Sequence, residues 1–230
     1  IVNVLRRLRK AGVFTMYLDL YRAASLRQLL ELYARETARA AETKVEAILR
    51  LLKEILPSLR PTVRLAADGS ASIGLEYGVR ERHILELLEQ VYEAPERIAR
   101  KSKRRFVVAL DEFQEVRNLN GEAVEKAMRA SFQHQREVGY VFAGSKTSIL
   151  YDMVFNKAGA FYKLGKVMTL GRIPRKELRP FLEDRFRNSS FRLEDGAMER
   201  ILDLTEDLPY NAQFLCHALW DRLHDTKKIG

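Results

Sequence analysis

The sequence predicts an α/β fold, and three observations carry that prediction. Segments of strand period and helix period alternate along the residues before Pro174. Five consecutive apolar residues, Phe106–Leu110, run into Asp111 and Glu112, the pattern of a central parallel strand buried on both faces. After Pro174 the strand signal stops and apolar residues recur at helical spacing.

The elements follow in order. Ile1–Ala11 read as the end of a helix that Gly12 stops. Val13–Leu20 (VFTMYLDL) read as a buried strand. Ser25 and Gln28 have the spacing of a capping box, which opens a helical stretch running to about Leu56, before Pro57. Thr62–Leu65 and Ile73–Tyr77 pattern as a hairpin around Asp68-Gly69-Ser70. A helix from about Arg80 to Lys101 leads to the strand ending in Asp111 and Glu112. Next come a helix over about Glu122–Glu137, a strand over Gly139–Ser145 and a last strand over Lys166–Leu170. Beyond Pro174 three helices are expected. The first carries Leu178, Phe181, Leu182 and Phe186, the second Ile201, Leu202 and Leu204. The third opens at Pro209, with Tyr210, Phe214, Leu215 and Leu219 on its apolar side. The expected division is an α/β core over 1–171 and an all-helical subdomain over 172–230.

With 230 residues, 47% of them apolar, the chain can bury the core of one large domain, or of one domain with a small appendage. Its net charge of +9 suits a partner rich in phosphate: nucleotide, nucleic acid or anionic lipid. A solvated surface biased towards arginine gives the same sum. The single cysteine, Cys216, sits in an apolar helical stretch and reads as a core residue; it rules out an internal disulfide and fits a reducing cytosol. No cysteine–histidine spacing suits zinc, and no apolar run approaches the ~20 residues a bilayer requires. IVNVLRRLRKAG lacks the order of a signal peptide, because its basic cluster follows the short apolar stretch. A cytoplasmic location without membrane contact is expected.

In open parallel sheets, ligands gather beyond the carboxyl ends of the strands. Asp111 and Glu112 close one strand there, and Ser145, followed by Lys146, closes the next. A first carboxylate at such a place can hold Mg²⁺, and a second can orient and deprotonate a water. The same pair also suits a buried strand that simply ends in solvent.

The combination is more specific. FVVALDEFQEV (Phe106–Val116), YVFAGSKTSIL (Tyr140–Leu150), AFYKLGKVMTLGRIP (Ala160–Pro174) and EDLPYNAQFLCHALW (Glu206–Trp220) resemble, in turn, four segments of the archaeal-type ATPases of the STAND and AAA+ group of P-loop NTPases. Those segments are the Walker B strand, the sensor strand, the linker into the last core strand and the opening of the lid helix. The resemblance implies a P-loop NTPase-like parallel sheet of order 5-1-4-3-2 with a C-terminal helical lid. It implies ATP and Mg²⁺ as ligands and ATP hydrolysis coupled to lid closure. It gives Asp111 the metal, Glu112 the attacking water, Ser145 the γ-phosphate and Pro209 the adenine.

Two departures stand out. The lid's Gly-x-Pro is here Asp207-Leu208-Pro209, and the phosphate-binding G-x-x-x-x-G-K-[ST] does not occur. Gly144-Ser145-Lys146-Thr147 is no substitute, because it lacks the earlier glycine and follows the sensor strand. The expectation is that the first strand and its loop lie outside this sequence, upstream of Ile1.

Two basic clusters, Arg6, Arg7, Arg9, Lys10 and Lys101, Lys103, Arg104, Arg105, are compatible with nucleic acid and equally with solvated helix ends. Arg172, Arg175, Arg179 and Arg185 are candidates for contact with phosphate. His83, His134, His217 and His224 are scattered. The reading is an ATP-binding and ATP-hydrolysing switch domain with a protein partner or self-association that the sequence does not identify. Its rival is a non-hydrolysing scaffold that binds protein or nucleic acid through its basic surface.

Overall fold

A computed structural model describes residues 1–55, 57, 60–65, 71–76, 84–145, 147–225 and 227–229, which divide into two units, Ile1–Lys166 and Val167–Gly230. In the first unit, helix α1 (Val2–Lys10) ends two residues before Gly12, whose φ of +86° supplies the left-handed turn that glycine adopts without strain. Strand β1 (Phe14–Asp19) follows. Ser25 caps α2 (Leu26–Ala41): its side chain accepts from the Gln28 N–H, and the Gln28 side chain reaches back to the Ala24 N–H.

The long helix expected to run to Leu56 is two helices, α2 and α3 (Val45–Ile55), separated where Glu42 is extended; Leu56 lies outside the described residues. The hairpin is present as antiparallel β2 (Arg60–Leu65) and β3 (Ala71–Glu76), paired Thr62 to Gly74, while its expected turn at 68–70 and Tyr77 fall outside the described residues. The helix expected over about Arg80–Lys101 is also two, α4 (Ile84–Tyr92) and α5 (Ala94–Ser102), with 80–83 outside the described residues. Pro95 explains the break, since it lacks the N–H an interior helical position needs yet suits the first turn.

Strand β4 (Phe106–Asp111), a 3-10 turn (Phe113–Asn118), α6 (Gly121–Phe132), β5 (Val138–Phe142) and α7 (Thr147–Phe155) complete this unit. The sheet is parallel, in the order β1-β4-β5, with Asp19 opposite Asp111 and Leu110 opposite Phe142. With partners on both sides, β4 buries Phe106, Val108, Ala109 and Leu110, which accounts for its apolar run. A chain of ring contacts from Tyr33 through Tyr92 and Phe132 to Tyr140 ties α2, α4 and α6 to β5.

The strand expected over Lys166–Leu170 is not formed, and Met168 and Leu170 are exposed. A strand needs a ladder partner. In the expected order the only neighbour of this segment is the first strand, which none of the described residues forms.

The second unit packs α8 (Arg175–Asn188), α9 (Ala197–Leu204) and α10 (Pro209–Arg222) around Leu178, Leu182, Phe186, Ile201 and Leu202. It is not all helical: β6 (Arg192–Leu193) and β7 (Lys228–Ile229) form a short parallel ladder. On α10 the stripe facing this core is Ala212, Leu215, Cys216 and Leu219, whereas Tyr210 and Phe214, expected there, are exposed. Half-burial pushes the Cys216 thiol up to about 11, so it stays protonated. Among the described residues, no helix is long and apolar enough to cross a membrane.

Candidate functional site at the carboxyl edge of the sheet

Parallel pairing in register places the carboxyl ends of β1 and β4 side by side, with Asp19 opposite Asp111. Beyond β4 the chain turns sharply. Glu112 has φ +49°, in the left-handed region that a side-chain-bearing residue enters at a cost of about 1–2 kcal/mol. Two anchors hold the turn: the Glu112 N–H donates to Asp111 Oδ1 at 3.0 Å, and the Phe113 N–H donates to the Ala143 carbonyl at 2.8 Å. The buried Phe113 ring wedges between Phe142 and Phe161, at centroid distances of 4.4 and 5.1 Å.

This geometry brings three of the four residues singled out in the sequence together. The Ser145 hydroxyl donates to Glu112 Oε2 at 3.1 Å, and Asp111 precedes Glu112 at the strand end. Pro209 belongs to the second unit, where it is the first residue of α10. Lys146 lies outside the described residues.

Two further residues complete the arrangement. The Tyr17 hydroxyl donates to Asp111 Oδ2 at 2.5 Å; this bond, then partial burial and the charges of Asp111, Asp19 and Glu112, push the phenol up to about 12. The Gln114 side-chain amide donates to Glu112 Oε2, so one carboxylate oxygen takes two donors. Among the described residues, Glu112 Oε1 is left without a hydrogen-bond partner. Gln114 is 2% exposed, and its Oε1 is buried without a partner beside Gly144. A Cβ at position 144 would stand 2.1 Å from that oxygen, so the glycine there makes room for Gln114.

Sequence reasoning missed Tyr17 and helix α7, and it placed Gln114 in the segment that resembles a Walker B strand without giving it a role. Ile149, Leu150, Met153 and Val154 carry the helical spacing that could have revealed α7. Tyr17 left no pattern of its own.

As a place for Mg²⁺, the edge offers hard oxygen donors. Both oxygens of Asp111 accept one hydrogen bond and keep lone pairs for a cation. Among the described residues, no group of three or more His, Cys, Asp or Glu is placed to hold a metal.

The arginines singled out in the second unit have partners of their own. Arg175 pairs with Glu199, Asp203 and Asp207, and its pKa rises above the usual arginine value, chiefly through hydrogen bonds to Asp207 and Asp203. Arg179 pairs with Glu183 and Glu199, Arg172 reaches the Glu206 carbonyl, and Arg185 lies over the Phe181 ring. Asp207, which stands where the resemblance has glycine, adopts a positive φ of +55°. Its carboxylate receives Arg175 at 2.8 Å, which offsets strain that glycine would not have.

No protein-family model matches this sequence, and no curated protein matches it. Solved structures do. The Walker-type ATPase of Pyrococcus abyssi superposes over 97% of this chain and 61% of its own, at 13% identity and a TM-score of 0.58. The Orc1 protein of Aeropyrum pernix, in complex with DNA, covers 99% of this chain and 52% of its own, at 14% identity and a TM-score of 0.56. The Orc2 protein of the same organism, in its ADPNP–ADP complexes, covers 100% and 53%, at 16% identity and a TM-score of 0.52. The chain thus spans between about half and three-fifths of the length of these proteins. At such identities the likeness speaks for architecture alone: this chain shares the α/β fold of these proteins.

Proposed function

We propose that this chain is an ATP-binding, ATP-hydrolysing switch domain of the STAND/AAA+ type. The observation that carries the reading is the arrangement at the carboxyl edge. Asp111 and Glu112 end the central strand, Ser145 from the next strand lies 3.1 Å from Glu112 Oε2, and Tyr17 and Gln114 hold the two carboxylates. Fold likeness to nucleotide-bound Orc2 supports the substrate class.

Bound Mg²⁺ would neutralise phosphate charge, with Asp111 as its protein ligand and the Tyr17 hydroxyl fixing that carboxylate's rotation. Glu112 accepts the proton of the attacking water at Oε1, because Gln114 and Ser145 engage the other oxygen. The left-handed backbone at Glu112 and the donors Gln114 and Ser145 hold its carboxylate in place before substrate arrives. Ser145 adds a hydroxyl that can turn from Glu112 to the γ-phosphate or to the water. By the resemblance, Pro209 would contact the adenine.

The test is Glu112→Gln, with nucleotide affinity and phosphate release measured together. Nucleotide affinity should persist while phosphate release falls by about 10²–10⁴-fold, the loss typical of a removed general base. Unchanged turnover would remove Glu112 from the mechanism.

A further inference from the structure

The opposite edge of the sheet has the opposite charge. The two basic clusters, far apart in sequence, meet at the amino ends of the strands. Arg104 donates to the Gly12 carbonyl at 2.6 Å, and its guanidinium lies 3.8 Å from the centre of the Phe14 ring, so the end of α5 is bound to the end of α1. Arg105 donates to the Arg136 carbonyl and pairs with Glu137, which adds the loop before β5 to the same edge.

The structure separates the cations with local partners from those without. Arg9 is held by the Thr15 side chain and carbonyl, Lys101 by Glu54, Arg100 by Glu96 and Arg105 by Glu137. The acids of this edge are therefore engaged. Glu96, largely buried, also accepts the backbone N–H groups of Arg136 and Glu137. Among the described residues, the side chains of Arg6, Lys10, Lys103 and Arg136 have no partner, and all four are exposed. Arg6 and Lys10 stand one turn apart on α1.

A second observation concerns Lys103. It caps α5 with φ +50°, a left-handed position that glycine fills without strain. Backbone bonds of the cap, from the Lys103 N–H to the Arg100 carbonyl and from the Arg104 N–H to the Ala99 carbonyl, hold that conformation, and the exposed Lys103 side chain has no partner among the described residues.

We propose that this amino edge is a binding surface for the phosphate backbone of nucleic acid, with Arg6, Lys10, Lys103 and Arg136 contacting phosphates and Arg104 and Arg105 adding to the positive field. Its width matches such a ligand. Three adjacent strands span about 10 Å, enough to meet several successive phosphates of duplex DNA, which carries one charge per ~1.7 Å of axis. A bilayer fits less well. None of the exposed large apolar side chains falls within Arg6–Gly12, Lys101–Arg105 or Gln133–Glu137, so nothing at this edge is placed to enter the acyl region. The proposal is independent of the nucleotide reading, whose site is at the other end of the strands.

The experiment uses the full-length protein and a fluorescently labelled duplex of about 20 base pairs, with anisotropy read across a salt series. Each phosphate neutralised contributes about −0.9 to the slope of log K against log salt. Combining Lys10→Ala, Lys103→Gly and Arg136→Ala should make that slope shallower by about 2–3 and weaken binding about tenfold or more at low salt. An equal-charge control, with Lys44, Arg50 and Lys157 changed to alanine, should stay close to the parent. Lys103→Gly alone keeps the left-handed backbone and should still weaken binding, which separates lost contact from lost fold. The proposal is overturned if the parent does not bind the duplex, or if the triple variant keeps its affinity and salt slope. It is overturned equally if the control loses as much, or if the triple variant loses binding to phosphatidylserine vesicles while its DNA binding is unchanged.

Discussion

Strand β4 is bracketed by two residues in the same unusual backbone conformation, Lys103 before it at φ +50° and Glu112 after it at φ +49°. Their surroundings differ. Glu112 receives Gln114 and Ser145 on its carboxylate, and its N–H reaches Asp111. Lys103 makes a backbone bond to Arg100 and, among the described residues, no side-chain bond. Strain at the carboxyl edge is compensated inside the protein and fixes a side chain in place. Strain at the amino edge presents a cation outwards without fixing it. One conformation thus serves a preorganised site at one end of the strand and an open, charged surface at the other.

The contrast can be broken by substitution. The largest effect is the loss of hydrolysis expected of Glu112→Gln, which strikes the preorganised end, with the salt-dependent loss at the basic edge as its counterpart. Next in size is Gly144→Ala. The added methyl would meet Gln114 Oε1, which is buried and cannot withdraw without releasing Glu112. Chemical denaturation should show a loss of about 1–3 kcal/mol. Much of that loss should vanish in a Gln114→Ala background, where the clash has no partner; an additive pair would show that Gln114 is not what the glycine accommodates.

Glycine substitution at the two left-handed positions sharpens the comparison directly. Lys103→Gly should leave stability unchanged or raise it by up to about 1 kcal/mol, since strain is relieved and no bond is lost. Glu112→Gly relieves the same strain but leaves the buried Gln114 amide without its acceptor, and should lower stability by about 1–2 kcal/mol. Equal responses in equilibrium unfolding would contradict the distinction between the two ends.

The smallest effect concerns alkaline pH. Tyr17 has its pKa raised to about 12 in the folded protein, chiefly by its bond to Asp111. A raised value means that the fold favours the protonated phenol. The stabilisation is fully present below the unfolded value of about 10 and is lost as pH climbs towards 12. Tyr17→Phe should therefore flatten the stability profile across that window. Tyr33, Tyr92 and Tyr140, also raised, remain in both proteins and cancel in the difference. Identical profiles would show that the Tyr17–Asp111 bond does not persist in solution.

Much of this architecture is legible in local pattern. The apolar run into Asp111 and Glu112 marks a central strand and its carboxyl end, because a strand paired on both sides must be apolar throughout. Ser25 with Gln28, and Gly12, mark helix ends because orphan N–H groups and left-handed turns demand those residue types. The break at Pro95 was equally open to view, since a missing N–H needs no tertiary context. What pattern does not carry is the meeting of distant residues. Tyr17 reaches Asp111 across 94 positions only because β1 and β4 pair in register, and Gln114 settles on Gly144 only because β5 lies on the other side. The two basic clusters likewise become one surface through Arg104 and the Gly12 carbonyl. Residues 166–170 have a strand's composition and no ladder. Periodicity and capping are properties of a few neighbouring residues and can be read from them, whereas a ladder, a shared carboxylate or a charged edge exists only when a second segment supplies the other half.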